Sequence, residues 1–154
     1  MNNYRCERDG VLVSTERTLL NLDAVHGFLS RSYWAEGIPR ETVARSLEHS
    51  LCFGLYHDGQ QIGLARVISD FTTYAYLCDV YVLQWYRGKG LAAWLVDWVL
   101  RHPDLQGLRR FNLVTRDAHG LYRKFGFSEP ARPGGYMELL RSDIYRQKTG
   151  MHAE

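Results

Sequence analysis

The stretch that most limits the possible folds of this chain runs from Asp79 to Leu100. It opens on the β-forming residues Val80, Tyr81 and Val82, passes through Arg87-Gly88-Lys89-Gly90, and continues as a nearly all-apolar run with no helix breaker. That order reads as strand, tight loop, helix. Glycines at 88 and 90 let the backbone turn with no Cβ in the way, and the first-turn amides of a helix have no partner within it. Those amides and the positive end of the helix dipole suit one kind of ligand, an anionic phosphate group.

Spacing separates the glycine loops that hold phosphate. A P-loop requires Ser or Thr directly after the lysine of G-x-x-x-x-G-K, whereas Lys89 is followed by Gly90. A dinucleotide loop wants G-x-G-x-x-G and a carboxylate about 20 residues later; Ala93 takes the third glycine position, and Arg109 and Arg110 stand where the acid belongs. The third pattern is Gln or Arg, any two residues, Gly, any residue, then Gly or Ala, and Arg87-Gly88-Lys89-Gly90-Leu91-Ala92 fills it. Downstream, Ala118-His119-Gly120-Leu121-Tyr122-Arg123-Lys124-Phe125-Gly126-Phe127 fits A-x-x-L-Y-x-x-x-G-F. Together, in this order, the two segments resemble the acetyl-CoA pyrophosphate loop and the following helix of the GNAT family of N-acetyltransferases. The resemblance spans residues 51–140.

The 154 residues suit a single domain with one well-buried core, expected over 1–154 with 141–154 as a loosely held polar tail. Hydrophobic content of 45% and charged content of 23% are ordinary globular values, and a formal charge of +2 does not advertise nucleic acid. Cys6, Cys52 and Cys78 are odd in number and lack C-x-x-C spacing, which argues against a disulfide framework and against a zinc or other metal site. With neither a secretory leader nor an 18-residue apolar run, the expectation is a soluble, cytoplasmic protein without a membrane partner, acting as a monomer or homodimer.

Along the chain, residues 11–13 read as an edge strand, 19–29 as a helix, 31–39 as a loop, and the segment from about Pro39 as a second helix with Val43 and Leu47 inward. Asp58-Gly59 is hairpin chemistry between strands over 51–56 and 61–69. A strand over 74–83, the helix after Gly90 and a strand over 111–114 make a strand-helix-strand unit, which requires a parallel pair with a right-handed crossover. A short helix over 120–125 and a final strand over 136–140 follow. The fold class expected is therefore α/β: a GNAT-like, mostly antiparallel sheet with one parallel unit and helices on both faces.

Amine acetylation needs the cofactor held, a neutral amine presented, the oxyanion stabilised and the leaving thiolate protonated. The resemblance implies acetyl-CoA as co-substrate, no metal, and backbone pairing of Val80, Tyr81 and Val82 with the pantetheine arm. It also implies main-chain contacts from Arg87, Gly88, Lys89, Gly90, Leu91 and Ala92 to the pyrophosphate. Lys124 stands as a partner for the 3′-phosphate or as a solvated helix lysine. Tyr122 is the implied general acid, a phenol that stays protonated at neutral pH. Spermidine/spermine acetyltransferases carry Glu then Asp where this chain has Cys78 and Asp79. Deprotonation of the amine therefore falls to a water chain, Asp79 or Tyr76. Asp79 is also a candidate anchor for a cationic substrate, or else a structural carboxylate. Thr115 replaces a family asparagine that touches cofactor, Asp117 is the expected helix cap, and His119 is an unremarkable exposed base.

The segments placed at the acceptor end hold Tyr33, Trp34, Glu36, Asp70, Tyr76 and Asp79, and carboxylates beside aromatic faces suit a primary ammonium. Arg31, Arg40 and Arg66 keep a phosphorylated acceptor open. The function expected is acetyl transfer to a small-molecule amine that is polyamine-like, an amino sugar or amino-acid-like. A protein amine acceptor, or a non-catalytic acyl-CoA-binding module, is the alternative.

Overall fold

In the computed structural model, which describes residues 3–148, two Asp-Gly turns set the first half of the sheet. Asp9 and Gly10 have φ of 52° and 80°, and Asp58 and Gly59 have 50° and 75°. Two successive left-handed residues make the hairpin turn whose twist matches its strands. The first turn joins β1 (Arg5–Arg8) to β2 (Val11–Ser14), and the second joins β3 (Leu51–His57) to β4 (Gln60–Ser69). With β5 (Tyr74–Val82) and β6 (Arg110–Leu113) they form a six-stranded sheet in sequential order. Every pair is antiparallel except β5 with β6, which is parallel. The sequence places residues 11–13 at the sheet edge; they lie one strand in, because Asp9-Gly10 adds β1 outside them.

Two helices precede β3: α1 (Leu22–Leu29) and α2 (Arg40–Glu48). Asn21 caps α1 by accepting from the Ala24 amide at 3.0 Å, so this helix starts later than its apolar spacing suggests, and Leu19 sits in a separate 3-10 turn. The crossover between β5 and β6 is α3 (Leu91–Arg101), followed after β6 by α4 (His119–Arg123) and α5 (Ile144–Lys148).

The sheet buries both faces. On one, Phe53, Leu55, Ile62, Ala65, Val67, Ala75 and Leu77 pack against Leu91, Trp94, Leu95, Val96 and Val99 of α3. On the other, Cys52, Leu64 and Tyr81 meet Val25 and Leu29 of α1 and Val43 and Leu47 of α2. Strand alternation accounts for this division except in β4, where Ile62 and Leu64 fall on opposite faces beside a β3–β4 register shift at Leu55/Tyr56, and within β5. Ala75 and Leu77 face α3, yet so does Val82. The β4–β5 register slips here, pairing Leu64 with Tyr81 but Arg66 with Cys78, so one extra residue of β5 is accommodated. Asp79 is the residue with a left-handed backbone in this bulge, at φ 52°.

Three expectations need correction. Residues 136–140 form no strand; β6 ends the sheet, and the segment lies exposed after the 3-10 turn Pro133–Gly135. The segment from 141 is not wholly a tail, since α5 forms within it and Tyr145 packs on the cluster shared by α1 and α2; residues 149–154 lie outside those described. Asp117 does not cap α4, because Ala118 holds the N-cap position and its amide is bonded by the Thr115 hydroxyl at 3.0 Å. Among the described residues no helix is long and apolar enough to cross a membrane.

Candidate active site

β5 is longer than the strand it runs parallel to. It pairs with β6 from Tyr74 to Leu77, opposite Arg110 to Leu113, whereas its pairing with β4 continues to Val82. Beyond Leu77, no strand among the described residues lies beside the β6-facing edge of β5. A cavity of about 330 Å³ fills the opening, lined by Tyr76, Cys78, Asp79 and Val80 from β5, Thr115 to Ala118 before α4, Tyr122 from α4, and Tyr33 and Trp34 from the α1–α2 loop. An extended ligand can add to such an edge through main-chain hydrogen bonds alone.

The same strand leads into the glycine loop. Gly88 and Gly90 have φ of 79° and 76°, and among the described residues a Cβ built on either meets nothing within 4 Å, so the space above both is open. Gly90 is the N-cap of α3 and accepts the Trp94 amide at 3.0 Å, which leaves the amides of Leu91, Ala92 and Ala93 without intrahelical acceptors. The Leu91 side chain is buried in the core, so only its backbone is available to a ligand. Arg87 turns back to donate to the Val82 carbonyl at 2.9 Å, tying the loop to the end of β5, and the Lys89 ammonium lies 5.7 Å from the Tyr86 ring centre. This open, donor-lined cradle at a helix N-terminus fits a pyrophosphate.

The chemistry beside the cavity is mostly neutral. Burial pushes the Tyr122 phenol up to about 12, with nearby Tyr33 adding to the shift, so its proton is held firmly. Burial likewise pushes the Cys78 thiol up to about 12, which removes a thiolate as base or nucleophile at neutral pH. Tyr76 is also raised, mainly by burial, and is a poor base for the same reason.

Asp79 does not present a free carboxylate. One oxygen accepts from Arg66 Nε at 2.7 Å and the other from Trp34 Nε1 at 2.8 Å, with only 8% of the Asp79 side chain and 15% of the Arg66 side chain exposed. Arg66 also donates to the Ser50 hydroxyl at 2.9 Å. Here the sequence missed a partner. A lone arginine in the apolar run of β4, two strand positions from Leu64 and across a hairpin from Cys78-Asp79, was the available signal.

Asp70 is not brought to the cavity. Its carboxylate accepts from the amides of Thr72, Thr73 and Tyr74 and from the Thr73 hydroxyl, closing the β4–β5 turn. The Thr73 hydroxyl and these amides hold it well below the usual carboxylate range. Lys124 is exposed at the carboxyl end of α4, and it is not among the residues lining the cavity at Tyr122. Tyr33 and Trp34 meet edge to face at 5.1 Å, and Arg116, unremarked in the sequence, stacks its guanidinium 3.7 Å from the Tyr33 ring centre. Tyr81 points away from the cavity, stacked 3.8 Å from Phe28, so only its backbone serves the open edge.

Residues 18–127 match the family model described as the acetyltransferase (GNAT) family. A Gibberella zeae protein named "Putative acetyltransferase FG08082" is 34% identical over an alignment 140 positions long, with 76% of this chain and 78% of that protein covered. Among solved structures, a "putative acetyltransferase belonging to the gnat family" from Xanthomonas campestris pv. campestris superposes with a TM-score of 0.85 at 51% identity, covering 88% of this chain and 96% of the other. A "predicted acetyltransferase with acetyl-CoA" from Clostridium acetobutylicum shares the fold at 16% identity, with a TM-score of 0.61, 90% of this chain and 95% of the other.

Proposed function

Since the chain belongs to the GNAT acetyltransferase family, whose members take the acetyl group from acetyl-CoA, we propose that it acetylates the primary amine of a small molecule in the cytoplasm. The observation that carries this reading is the unpaired edge of β5 at residues 78–82, running from a cavity that holds Tyr122 to the open glycine cradle at α3.

In this reading the amides of residues 88–92 hold the pyrophosphate, with Lys89 adding charge, and the backbone of Val80, Tyr81 and Val82 pairs with the pantetheine arm. Lys124 is the proposed counter-charge for the 3′-phosphate. When bound, the cofactor supplies an acyl thioester whose leaving group is a thiolate. Tyr122 holds the proton for that thiolate at its phenolic oxygen. No side chain at 78 or 79 serves as base: Cys78 stays a thiol, and both Asp79 oxygens are occupied. The ammonium is therefore deprotonated through water in the open cavity. Asp79 acts by fixing the bulge, which sets where the free edge of β5 begins. Tyr33, Trp34 and Tyr76 frame the acceptor and provide aromatic faces for a cationic amine.

The test is acetyl-CoA consumption across a panel of polyamines, amino sugars, amino acids and a lysine-bearing peptide, read by mass spectrometry of the products. N-acetylation of a small amine is expected. Turnover of the peptide alone would move the acceptor class to proteins, and CoA binding without turnover on any amine would leave a binding module.

A further inference from the structure

Among the described residues, the charged side chains lining the cavity at the free edge of β5 are Asp79, Arg116 and Asp117. Both Asp79 oxygens are taken by Arg66 and Trp34, so this carboxylate has no lone pair directed at a ligand. Arg116 and Asp117 approach only to 3.9 Å, beyond hydrogen-bond length, with 64% and 70% of their side chains exposed. So long and exposed a contact is weak, and it gives way to a better-placed partner.

Arg116 is held by its face instead. Its guanidinium carbon lies 3.7 Å from the Tyr33 ring centre, and among the described residues none accepts a hydrogen bond from it. A guanidinium stacked on a ring keeps its N–H donors in its own plane, where they form a fork that matches a carboxylate. The ring beneath is itself fixed. Tyr33 meets Trp34 edge to face at 5.1 Å, and Trp34 donates to Asp79 at 2.8 Å, so the buried Arg66–Asp79 pair sets the position of the platform.

We infer that Arg116 is a specificity-determining residue of the acceptor end and that it binds a carboxylate carried by the amine substrate. This rests on the acetyl-transfer reading and narrows its acceptor to amines that are also carboxylic acids. A polyamine fits poorly, because the face of Tyr33 that a guanidinium covers is closed to a second cation. A phosphorylated acceptor fits poorly as well, since a doubly charged group wants several cations and is repelled more strongly by Asp117 than a carboxylate is. The other arginines near this end do not supply them: Arg66 is paired with Asp79, Arg40 is paired with Asp23 at 2.7 Å, and Arg31 does not line the cavity.

The test pairs straight-chain amino acids, from glycine to those with several carbons between amine and carboxylate, each with its own carboxamide, and adds spermidine. For the best acid, kcat/KM should exceed that of its amide about tenfold or more, the scale of a hydrogen bond to a charged group. Arg116→Gln should bring acid and amide together, chiefly by raising KM for the acid rather than by lowering kcat. Its thermal midpoint should match wild type, since the substitution is at an exposed position. Calorimetric titration of the CoA-loaded protein with the same pairs should show the same preference and its loss in Arg116→Gln, and this reads the contact without turnover. Equal use of acid and amide by the wild type, a preference that survives Arg116→Gln, or spermidine as the best substrate would overturn the assignment. Arg116-dependent binding of the acid with no turnover of any amine would overturn the acetyl-transfer reading instead.

Discussion

At the scale of single residues, the proposed function assigns some side chains to hold protons and others to hold shape. Tyr122 belongs to the first group: its phenol is buried, lines the cavity and is raised to about 12. Tyr122→Phe should therefore lower kcat about 10²-fold or more with cofactor affinity nearly unchanged, the usual size of a lost general acid. Because the raised phenol is only slightly ionised at pH 10, its basic limb lies above the range of a normal assay, and the wild-type profile should show no tyrosine-dependent fall below that pH. A near-wild-type rate for the variant would return Tyr122 to a packing role. Asp79 belongs to the second group. Its acidity suggests catalysis in the sequence, but its two bonds, to Arg66 and Trp34, hold together β4, the β5 bulge and the α1–α2 loop.

At the scale of elements, the loop between β5 and α3 is shaped by two left-handed glycines, whose placement puts helix amides beside open space. A valine at 90 would face no collision in the free protein, since nothing lies within 4 Å of its Cβ, but it would strain the backbone at φ 76° and stand over the cradle. Gly90→Val should weaken CoA binding about tenfold or more by calorimetry, a loss of roughly 1.4 kcal/mol. Gly107, at φ 75° and equally unobstructed, is the control. Gly107→Val should carry the same backbone strain and bind CoA as wild type. Equal affinity in the two variants would remove the pyrophosphate from this loop.

At the scale of the whole molecule, the α1–α2 face of the sheet gathers groups that resist ionisation. Burial raises Cys52 to about 11 and Cys78 to about 12, and it raises Tyr56 and Tyr81 further. Unfolded, these thiols and phenols ionise near their ordinary values of about 8.5 and 10. Their folded pKa values lie higher, so the unfolded chain loses protons first as pH rises. Their contribution to stability is thus complete below about pH 8 and is progressively lost above it, through the thiol range and then the phenol range. The thermal midpoint, followed by circular dichroism, should hold steady from pH 7 to 8 and fall steadily towards pH 11. A midpoint that stayed flat to pH 11 would mean that these groups are not buried as described.

The sequence by itself determined the local features: the Asp58-Gly59 and Gly-Lys-Gly turns, the α3 stripe, the parallel crossover and the family. Each follows from neighbours in the chain, whose backbone preferences and periodicity need no distant contact. It did not determine that neither carboxylate was free. Asp79 and Asp70 look alike as acids, and only the fold shows one bonded to residues 13 and 45 positions away and the other closing its own turn. Nor did it determine the fate of residues 136–140. Their pattern is that of a strand, but a strand requires a partner edge, and the tertiary structure decides whether the chain can reach one. Here residues 136–140 lie exposed outside the sheet, because strand formation is a pairing between segments and not a property of one.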